Sequence, residues 1–265
     1  MAIDPYAAPK SHVADVLQAG TDGSYIPGGR GVAAGNGWSW ISDAWSLLAE
    51  NRFTAVLLII VFLVIVIVMS LIPIVGQLGL YFLGPVLSGG MMLGCDALRR
   101  RDRLEVGHLF AGFRTHTGRL FGVGAFMLVG FIAIFAVIAL TFGAGLVGLF
   151  TGGMIGEQPS PEAMGTMAVS MMLGILVALA LSIPLYMAIW FAAPLIVLND
   201  MGVSDALKSS FYACLKNILP FLIWGIVMFF LSILATLPVL LGWLLLGPVL
   251  FASIYTGYRD IFYEN

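Results

Sequence analysis

Four long stretches of the chain carry no charged side chain and no histidine: residues 53–95, 120–156, 163–199 and 218–258. A helix rises about 1.5 Å per residue, so roughly 20 residues cross a hydrocarbon core ~30 Å thick. The first and last stretches are each long enough for two crossings joined by a tight turn, and the middle two for one long crossing each. The hydropathy pattern predicts spans near 53–73, 77–97, 120–149, 166–198, 218–238 and 241–258. The expected fold is all-α: a polytopic membrane protein of six transmembrane helices arranged as three hairpins.

Each hairpin has a short amphipathic lead. In the first, Trp38, Ile41, Trp45 and Leu48 recur at spacings of three, four and three, which places them on one helical face. Trp38, Trp40 and Trp45 are expected as anchors at the headgroup level, where an apolar ring and a polar N–H are both accommodated. Before the last hairpin, Leu207, Phe211, Cys214 and Leu215 form the apolar face, with Ser204 as the expected N-cap and Phe211 as the anchor. Leu109, Phe110 and Phe113 read as a weaker third copy. These leads are expected to lie in the interface.

An internal repeat supports the count. Leu83-Gly84-Pro85-Val86-Leu87 recurs as Leu246-Gly247-Pro248-Val249-Leu250. Ile72-Pro73 matches Leu237-Pro238, Ser42-Asp43-Ala44 matches Ser204-Asp205-Ala206, and Glu50-Asn51 parallels Lys216-Asn217, all at offsets of 162 to 166 residues. Both copies start on the same side of the membrane, so the repeat is parallel. Pro73 and Pro238 fall at hairpin turns. Pro85 and Pro248, with Pro184 and Pro194, fall within spans and predict kinks.

Charge sets the orientation. With six spans, all twelve Lys and Arg lie on the side of the N-terminus, and the loops around Gly76, 150–165 and Leu240 have none. Positive loops stay in the cytoplasm, so both termini are expected there. Residues 1–36 read as a flexible N-terminal tail without a cleavable signal, and 37–265 as the six-helix transmembrane domain. The run Arg99-Arg100-Arg101-Asp102-Arg103 is a topology determinant that could also attract anionic headgroups.

Only 10% of the 265 residues are charged and 60% are hydrophobic, which excludes an ordinary soluble domain. No charge falls at mid-membrane depth, which argues against ion-coupled transport. The serines inside the spans, with Gln77, are expected to serve packing. His12, His108 and His116 lack metal-ligand spacing, and no nucleophile elbow or phosphate loop occurs. No catalytic, cofactor or metal site is expected. Cys95 and Cys214 read as small semi-buried residues in a reducing compartment. Gly90 and Gly94 form a G-x-x-x-G, and Gly143, Gly145 and Gly148 cluster in the third span; both sets suit close helix packing, within the chain or between chains.

Gly37-Trp38-Ser39-Trp40-Ile41, the stretch Gly107 to Phe113 (GHLFAGF), Ala193-Pro194-Leu195-Ile196-Val197 and Ala252 to Phe262 (ASIYTGYRDIF) resemble a family of uncharacterised six-helix inner-membrane proteins of proteobacteria. More distantly, the pattern is similar to the membrane domain of glycerophosphodiester phosphodiesterases, whose soluble catalytic barrel has no counterpart here. The resemblance implies the fold and location and no reaction. The expected role is a non-enzymatic accessory or scaffold subunit, partnered by the lipid bilayer and by itself or other integral membrane proteins, with no nucleic acid. A permease or channel for an uncharged or amphiphilic substrate is the alternative, and a lipid-metabolising enzyme using the Arg and His of 99–119 the third reading.

Overall fold

A helix satisfies its backbone N–H and C=O groups internally, so long apolar stretches fold as helices in lipid. The computed structural model describes residues 23–154, 160–238 and 241–264, without the side chains of 144–154 and 163. Its helices are α1 (Asn36–Leu47), α2 (Arg52–Ser70), α3 (Val75–Arg99), a 3₁₀ turn (Val106–Phe110), α4 (Gly112–Thr115), α5 (Thr117–Met154), α6 (Pro161–Ile189), α7 (Ala192–Asn199), α8 (Val203–Lys216), α9 (Ile218–Thr236) and α10 (Trp243–Phe262). An isolated bridge between Tyr25 and Tyr263 is the one β pairing among the described residues.

Among the described residues five segments are long and apolar enough to cross a membrane: Arg52–Ser70, Val75–Arg99, Thr117–Gly143, Met164–Asn199 and Ile218–Thr236. The sixth expected span lies in α10, which is not among them. Its last two turns, Tyr255 to Phe262, include Thr256, Arg259 and Asp260, and Tyr255, Tyr258, Ile261 and Phe262 there are buried within the chain rather than lipid-facing.

The core lies at one end of the bundle. It gathers Leu87 and Met92 of α3, Leu120 of α5, Leu195 and Ile196 of α7, and Tyr255, Tyr258 and Phe262 of α10. Away from that end the helices expose apolar side chains, as at Ile67 of α2, Leu140 of α5, Leu179 of α6 and Phe230 of α9. Water would not tolerate this surface, and lipid does.

Each amphipathic lead packs on the helix pair that precedes it. The 3₁₀ turn and α4 lie on α2–α3, α8 lies on α6–α7, and α1 closes the series by docking on α9–α10. Missing side chains permit the approach. A Cβ on Gly37 would sit 2.1 Å from the Pro220 carbonyl oxygen, and one on Gly90 would sit 2.3 Å from that of Leu109.

The inward faces differ from the expected stripes. In α1 the buried residues are Gly37, Trp40, Ile41 and Ala44, while Trp38 and Trp45 face outward. In α8 they are Ala206, Ser210, Ala213 and Cys214, while Leu215 is exposed and Phe211 half-buried. On α8 small residues take the core positions because they let backbones close up, whereas on α1 Trp40 and Ile41 share them with Gly37 and Ala44. Helix α8 begins at Val203 after Gly202, so Ser204 sits in its first turn rather than at the cap. On the third lead Leu109 is fully buried, whereas Phe110 and Phe113 are exposed.

The expected span 166–198 is broken at Trp190–Phe191, between α6 and α7. Pro194 has no N–H for the Trp190 carbonyl, and its ring crowds that group. The bond that Phe191 N–H would make to the Met187 carbonyl is replaced by a side chain. Ser210 Oγ accepts the Phe191 N–H at 2.9 Å and donates to the Met187 oxygen at 2.7 Å. Helices α3, α6 and α10 run on through Pro85, Pro184 and Pro248. Pro73 and Pro238 lie in the turns after α2 and α9.

Residues 23–35, assigned by sequence to the flexible tail, run as a strap across the end of α10 and the α8–α9 junction. Ile26 N–H donates to the Phe262 carbonyl and Arg30 N–H to that of Ile261. Asn217, fully buried, accepts the Val32 N–H and donates to the carbonyls of Arg30 and Ala213. The strap is ordered because these bonds satisfy backbone groups that the helix ends leave open. Residues 1–22 lie outside the described residues.

Candidate functional site

The end of α10 carries polar atoms that reach three other parts of the fold. Asp260 Oδ2 accepts the Trp40 indole N–H at 2.8 Å and the Asn36 amide at 2.7 Å, and Arg30 lies 3.4 Å from Oδ1. Thr256 donates to the Trp40 carbonyl. On the side of α3, Tyr255 donates to Asp96 Oδ1 at 2.8 Å, Arg100 donates to Oδ2 at 2.7 Å, and Arg99 donates to the Tyr255 oxygen at 3.0 Å. Toward α7, Tyr258 donates to the Asn199 carbonyl oxygen, whose amide donates to Tyr263. Among the described residues no buried side-chain nitrogen or oxygen lacks a partner.

This arrangement binds helices together. Asp96 is buried within α3 and is a charge that the reading of uncharged spans did not anticipate. Its partners explain how it is held: a carboxylate facing a guanidinium and a phenol keeps its hydrogen bonds without water. The signal was present in ASIYTGYRDIF, which supplies Tyr255, Thr256, Tyr258 and Asp260.

Of the expected anchors, Trp38 and Trp45 are exposed, whereas Trp40 is 2% exposed and is a core residue. Its indole N–H has a carboxylate partner, so it needs no headgroup. Gly90 and Gly94 face His108 and its neighbours within the chain. A Cβ on Gly143 would meet open space, and the surroundings of Gly145 and Gly148 fall outside the described residues.

The serines inside the spans bond their own helices. Ser70, Ser170 and Ser182 donate to the carbonyls of Val66, Thr166 and Ala178. They satisfy backbone rather than line a polar path. Of the histidines, His108 caps its own 3₁₀ turn with Glu105, and His116 Nε2 lies 3.2 Å from Asp200. Arg119 donates to the same carboxylate, and these bonds hold Asp200 below the usual carboxylate range. Among the described residues no three of His, Cys, Asp and Glu gather as metal ligands. Cys95 and Cys214 are buried and unbridged, and burial pushes the Cys214 thiol up to about 12, so it stays protonated.

An outward-facing apolar groove of about 530 Å³ lies between α1, α9 and α10. Trp38, Ile41 and Trp45 form one wall, Leu231 and Leu234 another, and Leu245 with Val249 the third. Ser42 and Ser46 give it a modest polar strip, and Arg52 stacks on Trp45 at its end, 4.9 Å from the ring centre. Size and lining suit an apolar or amphiphilic guest.

The run of arginines divides by role. Arg99 and Arg100 turn back to Asp96 and Tyr255, whereas Arg101 and Arg103 are exposed. Arg101 has φ 61, a left-handed conformation that costs a non-glycine residue about 1–2 kcal/mol.

No family model matches the chain, and no solved structure does either. A curated relative is similar at 28% identity over 253 residues, covering 87% of this chain and 92% of its own length. It is described as a probable inner membrane protein of Burkholderia thailandensis. That description gives a location and no reaction, and it offers no link to the glycerophosphodiester phosphodiesterases.

Proposed function

We propose that this chain is an integral inner-membrane protein that serves as a non-enzymatic accessory or scaffold subunit. The observation that carries the reading is the contrast in packing along the apolar helices. In the most apolar windows of Thr117–Gly143 and Met164–Asn199 only 11% of residues are buried within the chain. A rigid, fully bonded core at one end thus presents helices whose faces are left for lipid or for other membrane proteins. The similar inner-membrane relative supports the location. In this reading α10 is the sixth crossing, both termini are cytoplasmic, and the repeated Leu-Gly-Pro-Val-Leu segments place Pro85 and Pro248 in equivalent helices.

Native mass measurement after extraction in mild detergent tests the role. An oligomer or a stable hetero-complex is expected, and a lone monomer at all protein concentrations counts against it. Cysteine labelling from either side tests the topology: residues 99–119 and the termini should label from the cytoplasm, and 155–159 from outside.

A second reading, a permease or channel for an uncharged or amphiphilic substrate, is favoured by the apolar groove. Its test is labelling by a photoactivatable fatty acid, with Leu245→Trp to fill the groove. Unchanged labelling in that variant removes this reading.

A further inference from the structure

The loop after α3 holds a cation where its backbone asks for glycine. Arg101 N–H donates to the Leu98 carbonyl at 3.0 Å and Asp102 N–H donates to that of Ala97 at 3.0 Å. This is the Schellman arrangement, whose left-handed position is usually glycine because a Cβ is strained there. A guanidinium is thus kept at the helix end against local preference. Among the described residues Arg101 and Arg103 make no ion pair, unlike Arg99 and Arg100. Asp102 between them uses Oδ1 on the Arg103 backbone N–H, so residues 101–103 retain a net positive charge.

The same short segment presents aromatic rings. Leu104 anchors it, being 7% exposed, with its side chain beside Gly94. Beyond it Phe110 and Phe113 stand exposed, their rings stacked 6.5 Å apart. Cations that make no ion pair and exposed aromatic rings within one short segment match a bilayer surface, where rings enter the acyl boundary and guanidinium groups meet phosphates. A free phosphate would use only the cations.

We propose that Arg101 and Arg103 bind the phosphate of an anionic phospholipid headgroup, with Phe110 and Phe113 seated in the boundary beneath it. The site is independent of the scaffold reading, since it would operate in a monomer as well.

The test uses the full chain in neutral detergent, titrated with phosphatidylglycerol or with phosphatidylcholine of the same chain length, bound lipid being counted by native mass spectrometry. Phosphatidylglycerol should be retained preferentially. Arg101→Gly should weaken that preference about fivefold, and adding Arg103→Gln should weaken it by about as much again. Arg101→Gly should at the same time raise the melting temperature by about 2 °C or more, because the strain is relieved. The paired outcome separates binding from folding. Unchanged phosphatidylglycerol preference in Arg101→Gly overturns the proposal, as does competition by inorganic phosphate at the lipid's own concentration. A lower melting temperature in Arg101→Gly overturns it too, since the arginine would then be a structural residue.

Discussion

Helices α5 and α10 both draw on long uncharged stretches of the chain, yet they have opposite fates. Phe135 and Leu140 of α5 are 72% and 86% exposed, while Tyr255 and Tyr258 of α10 are at most 1% exposed. The difference lies in the polar atoms among the apolar ones. Each hydroxyl or carboxylate on α10 needs a partner once buried. Those partners come from α1, α3 and α7, so satisfying them draws the core together at that point. Helix α5 has few such obligations and remains in lipid. Apolar character therefore says that a helix leaves water, and polar character says what it meets.

The comparison is broken most severely at Asp260. Asp260→Ala leaves the Trp40 and Asn36 donors without their acceptor and Arg30 with the backbone carbonyl alone, and should cost roughly 3 kcal/mol in thermal unfolding in detergent. Asp260→Asn keeps one acceptor oxygen and should lose less. Next is Ser210→Ala, which orphans the Phe191 N–H and the Met187 carbonyl at the α6–α7 break, for about 1–3 kcal/mol. Leu140→Ala on α5 should change the stability of the isolated chain by less than about 0.5 kcal/mol, because little within the chain touches it. If α5 carries an assembly face, the same change should weaken the oligomer seen by native mass.

The smallest effect concerns the clasp of Arg119 and His116 on Asp200. The carboxyl is held below its usual range by the Arg119 hydrogen bond first and the His116 bond second. A depressed folded value means that the clasp contributes at neutral pH and is lost as pH falls through that depressed value. Acid titration followed by NMR of the Arg119 and His116 side chains should show release only below the ordinary carboxylate range. Asp200→Asn should abolish that transition.

Five of the six expected membrane helices were legible from the uncharged stretches, because length and hydropathy are set by the bilayer and not by tertiary detail. The break after α6 was half legible: Pro194 announced a disturbance, but the repair by Ser210 depends on a helix 20 residues away. The faces of α1 and α8 were only partly legible, because a stripe of large apolar residues looks alike whether it meets core or lipid: Ile41 and Cys214 turn to the core, and Trp38, Trp45 and Leu215 do not. Trp40 shows the cost of that ambiguity; it reads as a headgroup anchor until Asp260 is seen beside it. The left-handed backbone of Arg101 was equally hidden, since it leaves no trace in a run of arginines. The strap over residues 23–35 looked flexible by composition, but its backbone bonds to α10 and Asn217, the Lys216 bonds to the Gly28 and Gly29 carbonyls and the Arg30–Asp260 pair hold it.

The account rests on a bonded core at one end and helix faces left for partners beyond it. Photocrosslinking in intact membranes tests this directly, with a photoreactive residue placed at Leu140 or Leu179 on the exposed faces, or at Leu195 in the core. Protein–protein adducts from the first two positions and only intrachain adducts from the third are the expected result. Lipid adducts alone at Leu140 and Leu179 would contradict it.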